Sequence, residues 1–253
     1  MRALPRLLLG IALWAGARAP AAEQVSVAAA ANLAYVLEPL NAGFAKSDPG
    51  VVLTSEIGAS GSLVAQIENG APYDVFLSAD LDFPRKLIAA GGADASSLVT
   101  FAFGRLVLWT TRPGLDLGSV GSVVRNPSVR RIAIANPKAA PYGRAAEEAL
   151  GRLGVSADAE PKLVFGENIT QTAQFVSSGN ADAGFVAYSL VVAPNNRDKG
   201  RWIEVPASLY SPMAQGAVLT RRGLSNPAAG RYLRFLGSAE ARRVFAQFGY
   251  GLP

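Results

Sequence analysis

The chain has 253 residues, carries a formal charge of +5, and contains neither cysteine nor histidine. The first absence excludes disulfides, thiolate metal sites and a cysteine nucleophile. The second excludes Ser-His-Asp chemistry and imidazole metal ligands, so any catalysis would have to rest on carboxylates, lysine or tyrosine.

In chain order, residues 1–22 read as a secretory signal peptide. Arg2 and Arg6 form a positive n-region, residues 7–14 an apolar run too short to span a bilayer, and Ala19-Pro20-Ala21 a small-x-small cleavage site, with the cut after Ala21 or Ala22. There is no cysteine to carry a lipid anchor. Loss of Arg2, Arg6 and Arg18 leaves a mature chain with a formal charge of +2. No Lys/Arg cluster that would suit nucleic acid remains. No later apolar run is long enough for a transmembrane helix.

The mature chain alternates β-branched or apolar runs with helical stretches. Strands are predicted over 25–30, 51–57, 74–78, 105–111, 131–135, 163–165, 184–187, 202–205 and 215–220. The spacing predicts a helix over 33–46, with Leu33, Val36, Leu37, Leu40 and Phe44 on one face and a kink at Pro39. Further helices are predicted over 62–69, closed by Gly70, and over 84–90, ending in Gly91-Gly92. Others follow over 143–153, over 169–178 up to Gly179, and over 227–236 and 239–248. Strands separated by helices imply an α/β fold with mostly parallel sheets. No low-complexity linker divides the chain, as expected of two lobes that share crossover strands. The expected division is lobe I from 23–103 and 211–253, and lobe II from 104–210.

Four places share one design, in which a strand ends, a small or polar turn follows and a helix begins. They are Ala30-Ala31-Asn32, Gly58-Ala59-Ser60-Gly61, Ala140-Pro141-Tyr142-Gly143 and Glu167-Asn168-Ile169. Each helix start offers free backbone N–H groups and the positive end of the dipole, which bind anions without a charged side chain. Ligands of open α/β sheets sit at the carboxyl ends of strands, where these turns lie. Taken singly, each turn also fits a plain structural role: Asn32, Ser60 and Asn168 as helix caps, Gly58 and Gly61 as backbone turns. Arg144, Glu147 and Glu148 fit the solvated face of a helix. Asp74 and Asp80 flank a strand and fit turn or packing roles.

Residues 25–33, Val-Ser-Val-Ala-Ala-Ala-Ala-Asn-Leu, resemble the first strand and binding turn of the periplasmic molybdate-binding proteins of ABC importers. The run from Gly58-Ala-Ser-Gly-Ser-Leu to Asp-Val-Phe-Leu-Ser-Ala-Asp80 resembles that family's most distinctive segment. Ile134-Ala-Asn-Pro-Lys-Ala-Ala-Pro-Tyr-Gly143, Gly166-Glu-Asn-Ile-Thr-Gln-Thr172 and Gly184-Phe-Val-Ala-Tyr-Ser189 fit later elements in the right order. The resemblance implies a two-lobed periplasmic binding protein of the type II-like class, with the ligand cleft between lobes.

It further implies that Ala31 and Asn32 occupy the first oxyanion-contacting turn. Ser60 would offer its hydroxyl and N–H, with Gly61 allowing close approach, while Tyr142 and Ile169 contribute backbone N–H groups from lobe II. Some members place a tyrosine hydroxyl on the anion from the strand after Gly184. Here Ala187 takes that position and Tyr188 follows it, and neighbouring strand residues face opposite sides, so Tyr188 is expected to point away. The implied ligand is molybdate or tungstate, held by neutral donors with no resident cofactor and no direct metal ligand. The implied partner is a membrane permease, and the protein is expected to be a monomer.

A site made only of donors favours an anion that carries no proton, because burying a dianion is costly unless every oxygen is hydrogen-bonded. Molybdate, tungstate and sulfate qualify, whereas phosphate wants an acceptor; Glu167, the nearest one, is expected to face solvent. The alternatives are a binder of sulfate or phosphate, a secreted carboxylate-dependent enzyme, and a tyrosine-based ferric-ion binder. The last is disfavoured by the neutral turns, since iron needs carboxylate, tyrosinate or histidine.

Overall fold

The computed structural model describes residues 23–253. The expected signal peptide lies outside the described residues. The elements run β1 (Glu23–Ala30), α1 (Leu37–Ser47), β2 (Val51–Gly58), α2 (Ser60–Glu68), β3 (Val75–Leu77), α3 (Asp82–Ala89) and β4 (Val99–Gly104). There follow β5 (Leu106–Thr110), α4 (Val120–Arg125), β6 (Ile132–Ala135), α5 (Pro141–Arg152), α6 (Ser156–Ala159), β7 (Leu163–Gly166) and α7 (Ile169–Ser177). The chain ends with β8 (Ala183–Ala187), α8 (Tyr188–Val191), β9 (Arg201–Glu204), β10 (Met213–Leu219), α9 (Pro227–Phe235) and α10 (Ala239–Gln247).

These elements build two five-stranded sheets, ordered β2-β1-β3-β10-β4 and β7-β6-β8-β5-β9. Each sheet has a parallel half, β2-β1-β3 in one and β7-β6-β8 in the other, and an antiparallel half that includes the strands next to the crossings. The chain passes from the first sheet to the second between Gly104 and Leu106, and returns between Glu204 and Met213.

The alternation in β1 shows why a strand this small and apolar sits at the centre. Val25, Val27 and Ala29 face a core built with α1, α9 and α10, while Ala28 faces the opposite layer with Leu63, Val64 and Leu87 of α2 and α3. Both faces are covered, as parallel sheets require. On the first face Phe44 meets Tyr232 and Phe235 edge-on, with ring centroids 5.2 and 5.5 Å apart. In lobe II the fully buried Trp109 of β5 donates its indole N–H to Lys199 O at 2.8 Å, so its one polar atom is satisfied.

Two local readings change. The helix expected over 33–46 with a kink at Pro39 is divided: a 3-10 turn covers Ala31–Leu33, and α1 begins only at Leu37. Pro39 therefore lies in the first turn, where no intrahelical N–H bond is lost and no kink is needed. The predicted apolar face survives, since Leu33, Val36, Leu37, Leu40 and Phe44 share one core. Helix α4 has no counterpart among the predicted elements. Its capping box pairs Ser119 with Ser122, a version without the Glu or Gln that usually marks the motif.

Candidate binding site

The four strand-to-helix turns meet at one small cavity between the lobes. Its wall is formed by residues 30–32 after β1, residues 58–60 after β2, Ala79 after β3, residues 140–142 at the start of α5, and Ile169 at the start of α7. No charged side chain lines it. Ala31, Asn32, Ser60, Tyr142 and Ile169 are thus brought together, each nearly or wholly buried.

The helix ends facing this space are left open in a specific way. The residues preceding the Ala31–Leu33 turn, α2 and α5 are Ala30, Ala59 and Ala140, and none of these alanines makes a side-chain cap. Serine, threonine or aspartate there would have filled the free N–H groups. At α7 the Asn168 side chain does cap, accepting from Thr170 N and Gln171 N at 3.0 Å each, which leaves the first N–H, that of Ile169, outside the cap. Asn32 and Ser60 are therefore not caps. Ser60 Oγ accepts the N–H of Ala79 at 3.1 Å, so its own proton is free to be donated. Away from the cleft, α4, α9 and α10 carry the side-chain caps of Ser119, Asn226 and Ser238.

The lobes are closed on one another around the cavity. Gly61 N–H donates to Ala139 O, Thr170 Oγ1 to Ala31 O and Ser189 Oγ to Asn32 O, each at 2.9 Å. Gly61 does not line the cavity. A Cβ there would lie 2.8 Å from the Phe83 ring and 3.1 Å from Ala139 Cα, so this glycine permits the approach of the other lobe rather than of the ligand. Tyr188 lies outside the cavity as well: its ring packs on Trp202 at 4.8 Å under the Arg105 guanidinium at 4.5 Å. Glu167 is exposed.

Beneath the cavity lies a buried polar layer that the sequence reading did not single out. Asn32 Nδ2 donates to Gln215 Oε1 at 2.9 Å and to Tyr250 Oη at 2.8 Å. Gln215 Nε2 donates to Tyr142 Oη at 3.3 Å. Burial pushes the Tyr142 and Tyr250 hydroxyls well above the usual phenol range, so both keep their protons.

At the mouth the pattern reverses. Arg144, expected on a solvated face, pairs with Asp80 across the cleft, lies 3.7 Å from Asp82, and stacks over the Phe83 ring at 5.2 Å. Glu148, also expected in solvent, accepts from Ser211 N at 2.7 Å and Ser211 Oγ at 2.9 Å. Helical spacing placed both residues on the polar face correctly, but that face looks at the other lobe. Burial raises the Asp80 carboxyl above its ordinary value, against the pull of the Phe83 N–H and of Arg144. Asp74 holds a turn, accepting from Ser26 N and Arg222 Nε at 2.9 and 3.1 Å. Among the described residues no group of three or more acidic side chains could hold a metal ion, and no helix is long and apolar enough to cross a membrane.

Residues 25–251 match the family model described as bacterial extracellular solute-binding protein. The chain is 42% identical to the molybdate-binding protein ModA of Azotobacter vinelandii over 96% of its length and 97% of that protein's. It is 41% identical to the molybdate-binding protein ModA of Rhodobacter capsulatus over 96% of this chain and 92% of that one. The solved structure of the Azotobacter vinelandii periplasmic molybdate-binding protein superposes with a TM-score of 0.84 at 36% identity, covering 90% of this chain and 99% of that one. Fold, open helix ends and likeness over nearly the whole length agree: the chain belongs to the bacterial extracellular solute-binding proteins, a family of binders rather than enzymes, and within them to the molybdate-binding proteins.

Proposed function

We propose that this protein captures molybdate, and equally tungstate, in the cavity between its lobes and delivers it to the permease of an ABC importer. The observation that carries the reading is the convergence of helix starts from both lobes on a cavity with no charged lining, where alanines stand in place of side-chain caps. Asn32, Ser60, Tyr142 and Ile169 hold the oxyanion, chiefly through backbone N–H groups, with the Ser60 hydroxyl adding a side-chain donor. Helix dipoles favour the negative charge without a counter-ion that would have to be desolvated. A donor-only wall favours an anion without a proton, and the size of the cavity separates molybdate from sulfate. The protein acts as a monomer in the periplasm, reached through the signal peptide. Lobe closure hides the ligand and forms the surface that the permease reads.

Thermal unfolding with molybdate, tungstate, sulfate and phosphate in parallel tests this. A ligand at a hundredfold excess over its Kd stabilises the native state by about 2.7 kcal/mol, or roughly 5–10 °C for a chain of this size. Molybdate and tungstate are expected to give shifts of that order, sulfate and phosphate far less. Stabilisation by sulfate alone would reassign the ligand; no shift with any of the four would refute the reading.

A further inference from the structure

The buried layer under the cavity contains one atom that does not fit. Asn32 is 1% exposed and borders the cavity, and its Oδ1 is buried without a hydrogen-bond partner. Its Nδ2 is spent inward, on Gln215 and Tyr250. The Tyr142 hydroxyl accepts from Gln215 but donates to no protein group among the described residues. One acceptor and one donor are thus both idle in the same layer.

Both are satisfied if the circuit runs the other way. An amide turned by half a turn exchanges its donor and acceptor in the same space. With both amides turned, the Tyr142 hydroxyl donates to Gln215 Oε1, Gln215 Nε2 donates to Asn32 Oδ1, and the Tyr250 hydroxyl moves its proton from Asn32 O, to which it donates at 2.9 Å, onto the same Oδ1. Asn32 Nδ2 then stands where the idle oxygen stood, beside the cavity. The Ser189 hydroxyl stays on Asn32 O at 2.9 Å in either sense. Turning one amide alone sets two donors or two acceptors against each other, so the amides are coupled. A phenol can give or accept, so Tyr142 completes the circuit in both senses.

Gly104, at the crossing from the first sheet to the second, has no room for a Cβ, which would run into Tyr142 Oη and Gln215 Nε2. The chain therefore keeps its smallest residue where the hydroxyl of one lobe is seated on the amide of the other.

We propose that Gln215 is a positioning residue: together with the Tyr142 hydroxyl it sets which end of the Asn32 amide meets the bound anion, and so whether the site admits an oxyanion that carries a proton. The proposal rests on the reading of the cavity as an oxyanion site. With Nδ2 facing the anion, every group around it is a donor, and a proton on the anion has no acceptor. With Oδ1 facing it, that acceptor exists. Tyr142 comes from lobe II and Gln215 from lobe I, so the choice is locked only when the lobes are closed.

The test is calorimetric titration of the wild type, Gln215→Met and Tyr142→Phe with molybdate, sulfate and phosphate at neutral pH. Tyr142→Phe keeps the backbone N–H at the site and serves if Gln215→Met fails to fold. Molybdate and sulfate carry no proton under these conditions and phosphate does. Both variants are expected to bind molybdate more weakly and to lose about tenfold or more of their discrimination against phosphate relative to sulfate. In the wild type, the side-chain amide proton and nitrogen resonances of Asn32 are expected to shift when molybdate is added. Equal weakening of all three anions, continued exclusion of phosphate by the variants, or Asn32 amide signals unmoved by molybdate would overturn the proposal. A wild type that binds neither molybdate nor tungstate would instead overturn the reading of the site itself.

Discussion

The floor and the mouth of the cleft join the same two lobes by opposite means. At the floor, Asn32, Gln215, Tyr142, Tyr250 and Ser189 are all buried and all neutral. At the mouth, Arg144 pairs with Asp80 and Asp82 while its side chain keeps 38% of its exposure. A charge at the floor would carry a large desolvation cost and would compete with a bound dianion for the same donors. At the mouth, Asp80 is buried but water reaches the Arg144 side of the pair, so charge is tolerated there and only partly screened. Ligand chemistry is thus kept apart from the groups that hold the lobes shut.

The largest effect should come from the cavity wall above this floor. Ser60 Oγ is occupied as an acceptor by Ala79 N–H, which directs its proton toward the cavity. A hydrogen bond to a charged group is worth about 1.5–3 kcal/mol, so Ser60→Ala is expected to weaken molybdate binding roughly ten- to a hundredfold by calorimetry. A loss of less than threefold would mean that backbone N–H groups alone carry the site and that the neutral wall needs no side-chain donor.

The sequence made the wall of the cavity legible and the floor and mouth illegible, for physical reasons. The four turns are local patterns, a strand end followed by small residues and a helix start, so spacing alone could locate Asn32, Ser60, Tyr142 and Ile169. Even the missing caps are visible as alanines at positions 30, 59 and 140. The floor joins residues 183 and 218 positions apart, Asn32 with Gln215 and with Tyr250, and no local periodicity reports such a pairing. The mouth joins Asp80 to Arg144 across 64 positions. There the helical period was right about the polar face of α5 and silent about what that face meets. The division of the helix before Pro39 is a boundary of the same kind, set by the 3-10 turn that brings Asn32 to the cavity.

A smaller effect is expected at the mouth. Arg144→Ala removes the ion pair and the contact with the Phe83 ring, leaving Asp80 held by Phe83 N–H at 3.1 Å and Ser78 Oγ at 3.1 Å. A pair open to water only on the Arg144 side contributes on the order of 1 kcal/mol, so closure should weaken by roughly fivefold. The loss should appear in the dissociation rate, and it should shrink as salt is raised from 10 mM toward about 1 M, where screening acts within a few ångströms. Stopped-flow release of molybdate across that range measures it. A salt-independent loss would mean that the mouth behaves like the floor.

The smallest effect is expected at a residue that belongs to neither layer. Tyr188 begins α8 one residue beyond the end of β8, and its N–H donates to Arg105 O at 2.9 Å beside the crossing of the chain. Its ring is held by Trp202 and by the Arg105 guanidinium, and both contacts use the ring rather than the hydroxyl. Phenylalanine keeps the ring and its packing, and it keeps a face for the cation, so Tyr188→Phe should leave both stability and molybdate affinity within about twofold. Neither Ala187 nor Tyr188 borders the cavity. A large loss of affinity in Tyr188→Phe would therefore mean that the end of β8 turns over when the anion binds, and that the neutral wall gains a donor from lobe II absent from the closed form described above.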